Sequence, residues 1–266
     1  MEEYVPCTEF AELTWRDAPL RLEYQWVGVK QSQYPVVVFM HEGLGSVALW
    51  KDFPENFCRQ NGFTGLVFSR YGYGQSTPRP AQELWAASFM HQQAYEVLPA
   101  FFEHLGIKHP WLFGHSDGGS IALLYAARFP QAPSGIVVVA PHILVEDITI
   151  KSIEEARATY LSTDLRAKIG RYHADPDSAF WGWNTIWLDS SFRTWNIEDQ
   201  LPLITCPILA VQGEDDEYGT LNQIRGIQRA APQTRLLVLP KCGHSPHRDQ
   251  PEALTQEAAQ FMISIR

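Results

Sequence analysis

Gly114-His115-Ser116-Asp117-Gly118 follows directly on an apolar run, Trp111-Leu112-Phe113, and leads into Gly119-Ser120-Ile121-Ala122-Leu123-Leu124-Tyr125-Ala126-Ala127. The run reads as a strand and the continuation as a helix. The Gly-x-Ser-x-Gly between them must reverse the chain sharply, and glycine is needed where side chains would clash. A serine at the apex of such a turn is pushed out of regular backbone, so its hydroxyl projects into a cleft. The N–H of Asp117 then lies at a helix N-terminus, where it can face negative charge developing on an oxygen. The pattern is short and matches by accident elsewhere, so its meaning depends on the rest of the chain.

Continuous apolar runs recur at 36–40, 66–68, 111–113, 136–140, 208–211 and 236–239. Runs of this length suit strands covered on both faces, as in a parallel sheet. Helical patterns fall between them at 46–60, 88–105, 117–128, 220–230 and 250–265. Before them, 11–15 and 20–27 alternate polar and apolar residues, as a half-exposed antiparallel pair does. The pattern predicts an α/β fold with a doubly wound, mostly parallel sheet. One interval breaks the rhythm: about 65 residues separate the runs at 136–140 and 208–211, where a βα connection is usually far shorter. It carries its own helical patterns at 152–172 and 178–188. The expected organisation is a core formed by 1–141 and 196–266, with 142–195 as an inserted helical cap.

Open α/β sheets bind ligands at the carboxyl ends of their strands, so the loops just after the runs are where chemistry is expected. After 36–40 comes His41-Glu42-Gly43-Leu44-Gly45, whose glycines let backbone N–H groups point inward. Gly43 or Leu44 would supply a second donor to an oxyanion, alongside Asp117. After 66–68 comes Ser69-Arg70-Tyr71-Gly72-Tyr73-Gly74-Gln75-Ser76, read as a structural turn. Ser116 follows the next strand, Gly213-Glu214-Asp215-Asp216 follows 208–211, and Gly243-His244-Ser245 follows 236–239. A serine hydroxyl is too weak an acid to attack unaided. It needs an imidazole to take its proton, and the imidazole needs a carboxylate to fix its tautomer. Serine, acid and histidine each stand just beyond a strand end.

These pieces together resemble the α/β-hydrolase superfamily, of the small capped, carboxylesterase-like type, over essentially the whole chain. The resemblance rests on His41–Gly45, Gly114-His115-Ser116-Asp117-Gly118-Gly119, Gly213–Asp216, and Gly243-His244-Ser245-Pro246-His247 ahead of Asp249-Gln250-Pro251-Glu252. It implies Ser116 as nucleophile, Asp216 as the acid and His244 as the base. Two departures stand out. His41-Glu42 replaces the usual His-Gly, so a carboxylate beside the oxyanion loop must point away or be paired. The loop at 69–76 begins with serine where aspartate is usual.

Glu214 and Asp215 are neighbouring alternatives for the acid. Cys242-Gly243-His244 with His247 is poor metal-site spacing, with no second ligand cluster, so no metal and no cofactor are expected. His41, His115 and His142 sit at strand ends and are read as hydrogen-bonded walls of the cleft. Phe180, Trp181, Trp183, Trp187, Phe192 and Trp195 crowd one part of the insertion. Phe180, Trp183 and Trp187 share a helical face, the pattern of a cap's own core. The excess of aromatics also places some of them, Trp183 and Trp187 first, against an apolar or aromatic part of a substrate.

The 266 residues suit one large domain with an insertion, and 45% hydrophobic with 19% charged residues is an ordinary globular balance. A net charge of −9 with no basic run argues against nucleic acid and anionic membranes as partners. No apolar run approaches the ~18 residues of a membrane span. The acidic start, Met1-Glu2-Glu3, lacks the regions of a signal peptide, and the four cysteines are scattered, so a cytoplasmic protein with reduced thiols is expected. The leading function is hydrolysis of a small carboxylic ester through an acyl-enzyme. A carbon–carbon bond hydrolase, a lactonase or a thioesterase would use the same residues, and a ligand-binding receptor on this fold is a more distant alternative.

Overall fold

The computed structural model describes residues 2–265. Among the described residues eight strands form one sheet: β1 (Glu9–Trp15), β2 (Ala18–Gly28), β3 (Val37–Met40), β4 (Thr64–Phe68), β5 (Trp111–His115), β6 (Gly135–Val139), β7 (Ile208–Gly213) and β8 (Thr234–Leu239). Their order is β1-β2-β4-β3-β5-β6-β7-β8. The pairs β1–β2 and β2–β4 are antiparallel and all others parallel. The expected mostly parallel α/β sheet, with its antiparallel start, is the one observed.

The unbroken apolar runs have a direct cause. Successive side chains of a strand point to opposite faces, and here each face has its own core. Val38, Met40, Leu66, Leu112, Ile136, Val138, Ile208 and Ala210 pack on one side with α3 (Leu98–Leu105), α4 (Asp117–Arg128) and α8 (Asn222–Ala230). Val37, Phe39, Val67, Phe113, Val137, Val139, Leu209 and Val211 pack on the other with α1 (Phe53–Asn61) and α10 (Pro251–Ser264).

Several helices differ from their expected bounds, and proline accounts for three differences. The pattern at 46–60 resolves into a short 3-10 turn and α1, because Pro54 has no N–H to donate and is tolerated only in the first turn of a helix. The pattern at 88–105 is α2 (Phe89–Gln92), one π-turn over Gln93–Val97, and α3. Pro99 sits at the second position of α3, and the widened turn just before it accommodates the missing bond. At the C-terminus, Pro246 opens α9 (Pro246–Asp249) and Pro251 opens α10.

Between β6 and β7 the chain forms α5 (Asp147–Ser162), α6 (Leu165–Ile169) and α7 (Pro176–Trp187). The expected single helix at 152–172 is broken at Thr163, whose backbone is extended. Asp175 caps α7 by accepting the Ser178 N–H at 2.9 Å, with Pro176 next. Leu144 bridges Asn196, so the segment leaves and re-enters side by side. It is tied to the sheet edge from two directions. Thr149 Oγ1 donates to the Tyr218 carbonyl at 2.6 Å. On the other side the Gly74 N–H donates to His173 Nδ1 at 2.9 Å, which leaves Nε2–H to donate to the Leu44 carbonyl at 3.0 Å. All four cysteines are free thiols. Among the described residues no helix is long and apolar enough to cross a membrane.

Candidate active site

Ser116 stands between β5 and α4 with φ 52° and ψ −119°. A side chain in that region of backbone space costs on the order of 1–3 kcal/mol, so the surrounding structure must impose it. Two features do so. The Ser116 N–H donates to the Val139 carbonyl at 2.9 Å, which ties the turn to β6. A Cβ at position 118 would strike the Met40 carbonyl at the end of β3, so glycine lets the first turn of α4 press against the sheet edge. The Asp117 N–H begins α4 and has no preceding helical turn to receive it.

The loops after β7 and β8 bring two more groups to the serine. Ser116 Oγ lies 3.0 Å from His244 Nε2, and His244 Nδ1 lies 2.8 Å from Asp216 Oδ1. The same Asp216 oxygen accepts the N–H groups of Tyr218 at 2.9 Å and Gly219 at 3.2 Å, while Oδ2 accepts Gln212 Nε2 at 3.0 Å. Glu214 and Asp215 are exposed. Burial raises the Asp216 pKa, but the charge and hydrogen bond of His244 and the Tyr218 N–H outweigh it, leaving a carboxylate below the ordinary value. Burial lowers the His244 pKa, yet Asp216, helped by Glu217 and Glu42, holds it above the usual histidine value. With the Nδ1 proton directed at a carboxylate, Nε2 is free to accept the serine proton.

The other strand-end histidines divide. His115 Nε2–H donates to the His244 carbonyl at 2.7 Å, and its Nδ1 lies 3.5 Å from Glu42 Oε2. Glu42 Oε1 is 3.4 Å from Arg248 Nη2. The extra carboxylate of the oxyanion loop is therefore paired with the Arg248 guanidinium through Oε1, while Oε2 faces the His115 ring. His142 stacks edge-on to Trp187 and its ring centroid lies 5.9 Å from that of His244. Burial and then the nearby His244 charge push its pKa down to about 3, so it stays neutral. His41 departs from its expected place on the cleft wall. It is 0% exposed, accepts the Arg70 N–H at 3.0 Å and donates to the Glu42 carbonyl at 2.7 Å, which makes it a brace behind the loop. Among the described residues no group of His, Cys, Asp and Glu side chains has a metal-holding arrangement.

A cavity of ≈ 240 Å³ opens over Ser116, walled by Gly43, Leu44, His115, Asp117, His142 and His244 from the sheet edge. Thr149, Ile153, Trp183 and Trp187 close it from the helices between β6 and β7, and Glu42, Glu217, Tyr218, Ser245 and Arg248 complete it. Trp183 lies so close over Gly43 that a Cβ there would collide with its indole. Of the aromatic group, Phe180 instead stacks on Tyr160 at 3.7 Å, and Phe192 and Trp195 pack with Trp187 into the main core. Sequence reasoning missed Tyr218, whose ring lies 4.7 Å from that of His244, and Thr149, Ile153 and Arg248. Tyr218 could have been found from its place two residues after Asp216. The other three carry no local signal.

Residues 35–184, more than half of the chain, match the family model described as the alpha/beta hydrolase fold. The chain belongs to the α/β-hydrolase fold family. It is an enzyme of the hydrolase class. This α/β-hydrolase is similar to the bifunctional esterase/perhydrolase DCH of Acinetobacter calcoaceticus, 24% identical over 262 aligned positions that cover 86% of this chain and 92% of the relative. A solved thermophilic esterase from Thermogutta terrifontis superposes with a TM-score of 0.73 at 20% identity, covering 97% of this chain and 99% of that one. The enol-lactonase from Burkholderia xenovorans LB400 superposes with a TM-score of 0.73 at 18% identity, covering 92% and 97%. The two structural likenesses carry the fold.

Proposed function

We propose that this α/β-hydrolase is a serine esterase for small carboxylic esters that works through an acyl-enzyme. One observation carries the reading: an unbroken hydrogen-bonded line from Ser116 Oγ through His244 to Asp216, opening on a cavity. In the first half-reaction Ser116 Oγ attacks the ester carbonyl carbon and its proton passes to His244 Nε2. The carbonyl oxygen, now an anion, is held by the N–H of Asp117 and that of Gly43 or Leu44. Each such donor contributes roughly 10²- to 10³-fold. The tetrahedral intermediate collapses, and His244 returns the proton to the departing alkoxide. A water deprotonated by His244 then adds to the acyl carbon, the bond to Ser116 Oγ breaks to release the acid, and Oγ takes the proton back from His244. These steps need only protein groups and water.

The segment 142–195 is read as a cap, with Trp183, Trp187 and Ile153 forming the apolar half of the cavity. Its ≈ 240 Å³ is below the roughly 300–1,000 Å³ of sites that enclose drug-sized ligands. The substrate is accordingly a small ester with an apolar or aromatic group. The esterase/perhydrolase relative supports this choice of bond class. The test is a panel of p-nitrophenyl esters of rising acyl length, beside a lactone, a thioester and a vinylogous diketone. The expected result is turnover of the short esters that declines as the acyl chain outgrows the cavity. Turnover confined to the diketone would move the assignment to carbon–carbon cleavage. No turnover and no labelling of Ser116 by an organofluorophosphonate would remove the hydrolytic reading of this site.

The proposal also fixes a pH dependence. His244 must be neutral to accept the serine proton, and its pKa is raised above 6.5 by Asp216 against burial. Activity therefore rises with pH through that raised value and levels off above it. In a profile of kcat/KM against pH for p-nitrophenyl acetate, the acid limb is expected to have its midpoint above 6.5. A midpoint below that would contradict the pairing of His244 with an anionic Asp216.

A further inference from the structure

Arg70 is only 1% exposed, and a charge so placed needs partners. Its Nη2 donates to the Glu42 carbonyl at 2.9 Å and lies 3.6 Å from Asp117 Oδ2. Asp117 is also 1% exposed. The Arg70 backbone N–H donates to His41 Nε2, which fixes the tautomer whose Nδ1–H donates to the same Glu42 carbonyl. The Gly45 N–H adds a third bond to that oxygen at 3.1 Å. The guanidinium lies 4.7 Å from the centroid of the Tyr73 ring, which walls it in.

Two consequences follow for the oxyanion donors. The C=O and N–H of one trans peptide point in opposite directions. Arg70, His41 and Gly45 all hold the Glu42 oxygen on one side. The Gly43 N–H of that same peptide is therefore turned to the other side, toward the cavity that Gly43 lines beside Ser116. The second consequence is electrostatic. Asp117 offers its N–H to the substrate oxygen while its own buried carboxylate sits on the same residue. Left alone, that carboxylate would oppose an anion forming nearby, and the guanidinium offsets it.

We propose that Arg70 is a positioning residue for catalysis. It orients the Glu42–Gly43 peptide so that Gly43, rather than Leu44, is the second oxyanion donor, and it balances the Asp117 charge behind the first. The proposal rests on the serine-esterase reading above. Arg70 acts through Glu42 and Asp117, so its effect belongs to the transition state and not to substrate binding.

The test compares wild type, Arg70→Lys and the double variant Arg70→Gln/Asp117→Asn. The readouts are kcat and KM on p-nitrophenyl acetate, the thermal midpoint, and inhibition by a short alkylboronic acid, which becomes a tetrahedral anion when a serine hydroxyl adds to it. The double variant strands no charge, so its thermal midpoint is expected near that of wild type. Its kcat is expected to fall roughly 10²-fold, the scale of losing one oxyanion donor, with boronate affinity falling in parallel. KM should stay within about threefold, as for an interaction made only in the transition state. Arg70→Lys keeps the charge but ends one bond short of the Nη2 that meets both partners, and should fall between; it gives the same readouts if the double variant does not fold. Unchanged kcat and boronate affinity in the folded variants, whatever the thermal midpoint does, would overturn the positioning role and leave the esterase reading intact. Absence of Ser116-dependent turnover in wild type would instead strike the esterase reading itself.

Discussion

Ser116→Ala is expected to lower kcat on a short p-nitrophenyl ester about 10⁶-fold, the loss seen when the nucleophile of a serine relay is removed. That corresponds to about 8 kcal/mol of barrier. The change is local. Alanine keeps the Cβ that the turn already accommodates at φ 52°, and it deletes only Oγ, whose partner in the structure is His244 Nε2. The Ser116 N–H that ties the turn to Val139 is untouched. The fold, the cavity and the oxyanion N–H groups should therefore persist, with KM little changed and a thermal midpoint close to wild type. Residual rate would come from the donors and from binding alone. Two measurements check this: steady-state kinetics, and intact-mass analysis after exposure to an organofluorophosphonate, which should add one label to wild type and none to the variant. A variant retaining more than about 1% of wild-type kcat would be incompatible with Ser116 as nucleophile on this scale.

The sheet was legible because its physical cause is local. Val37, Val38, Phe39 and Met40 are all buried, yet they divide between two cores, and a strand that must satisfy helices on both faces has no polar position left to spare. The relay residues were legible for a related reason: parallel strands bring their carboxyl ends to one edge, so residues far apart in the chain meet there. Helix limits were less legible, although part of the signal was present. Pro54, Pro99 and Pro251 mark where α1, α3 and α10 begin. A reading of apolar periodicity alone passes over them. What no local pattern could supply is the braced wall behind the cavity. Arg70 read as part of a structural turn, and its partners come from elsewhere, Glu42 from the loop after β3 and Asp117 from the start of α4. The meeting of Glu42 with Arg248 and with the His115 ring likewise depends on the loop after β3, the end of β5 and α9 closing on one point. His41 shows the same limit from the other side. Its strand-end position matched that of a cleft residue, but the packing of the 69–76 loop over it turned its ring inward.

Asp216→Asn is expected to lower kcat about 10³- to 10⁴-fold, approaching the loss that follows when an imidazole loses its anionic partner. The environment of the carboxylate offers the amide two orientations, and both impair the relay. If the amide oxygen takes the place of Oδ1, it can still accept His244 Nδ1–H and the N–H groups of Tyr218 and Gly219. Its NH₂ then faces Gln212 Nε2, a donor held by the Gly219 carbonyl, and the negative charge that stabilises the imidazolium is gone. If the NH₂ takes the place of Oδ1, it opposes both backbone N–H groups and drives His244 to the tautomer whose Nε2–H points at Ser116 and cannot accept its proton. The pH profile separates the two. Loss of charge with the tautomer kept should move the acid limb of kcat/KM downward from its raised position, because Asp216 is what holds the His244 pKa above 6.5 against burial. A wrong tautomer should leave little activity at any pH. Asp215→Asn is the matched control: its side chain is exposed on the same loop, and kcat should stay within about threefold of wild type, as for a surface change outside the relay. Collapse in Asp215→Asn with activity retained in Asp216→Asn would move the acid by one residue. Collapse in both would show that the loop, rather than one carboxylate, sets the orientation of His244.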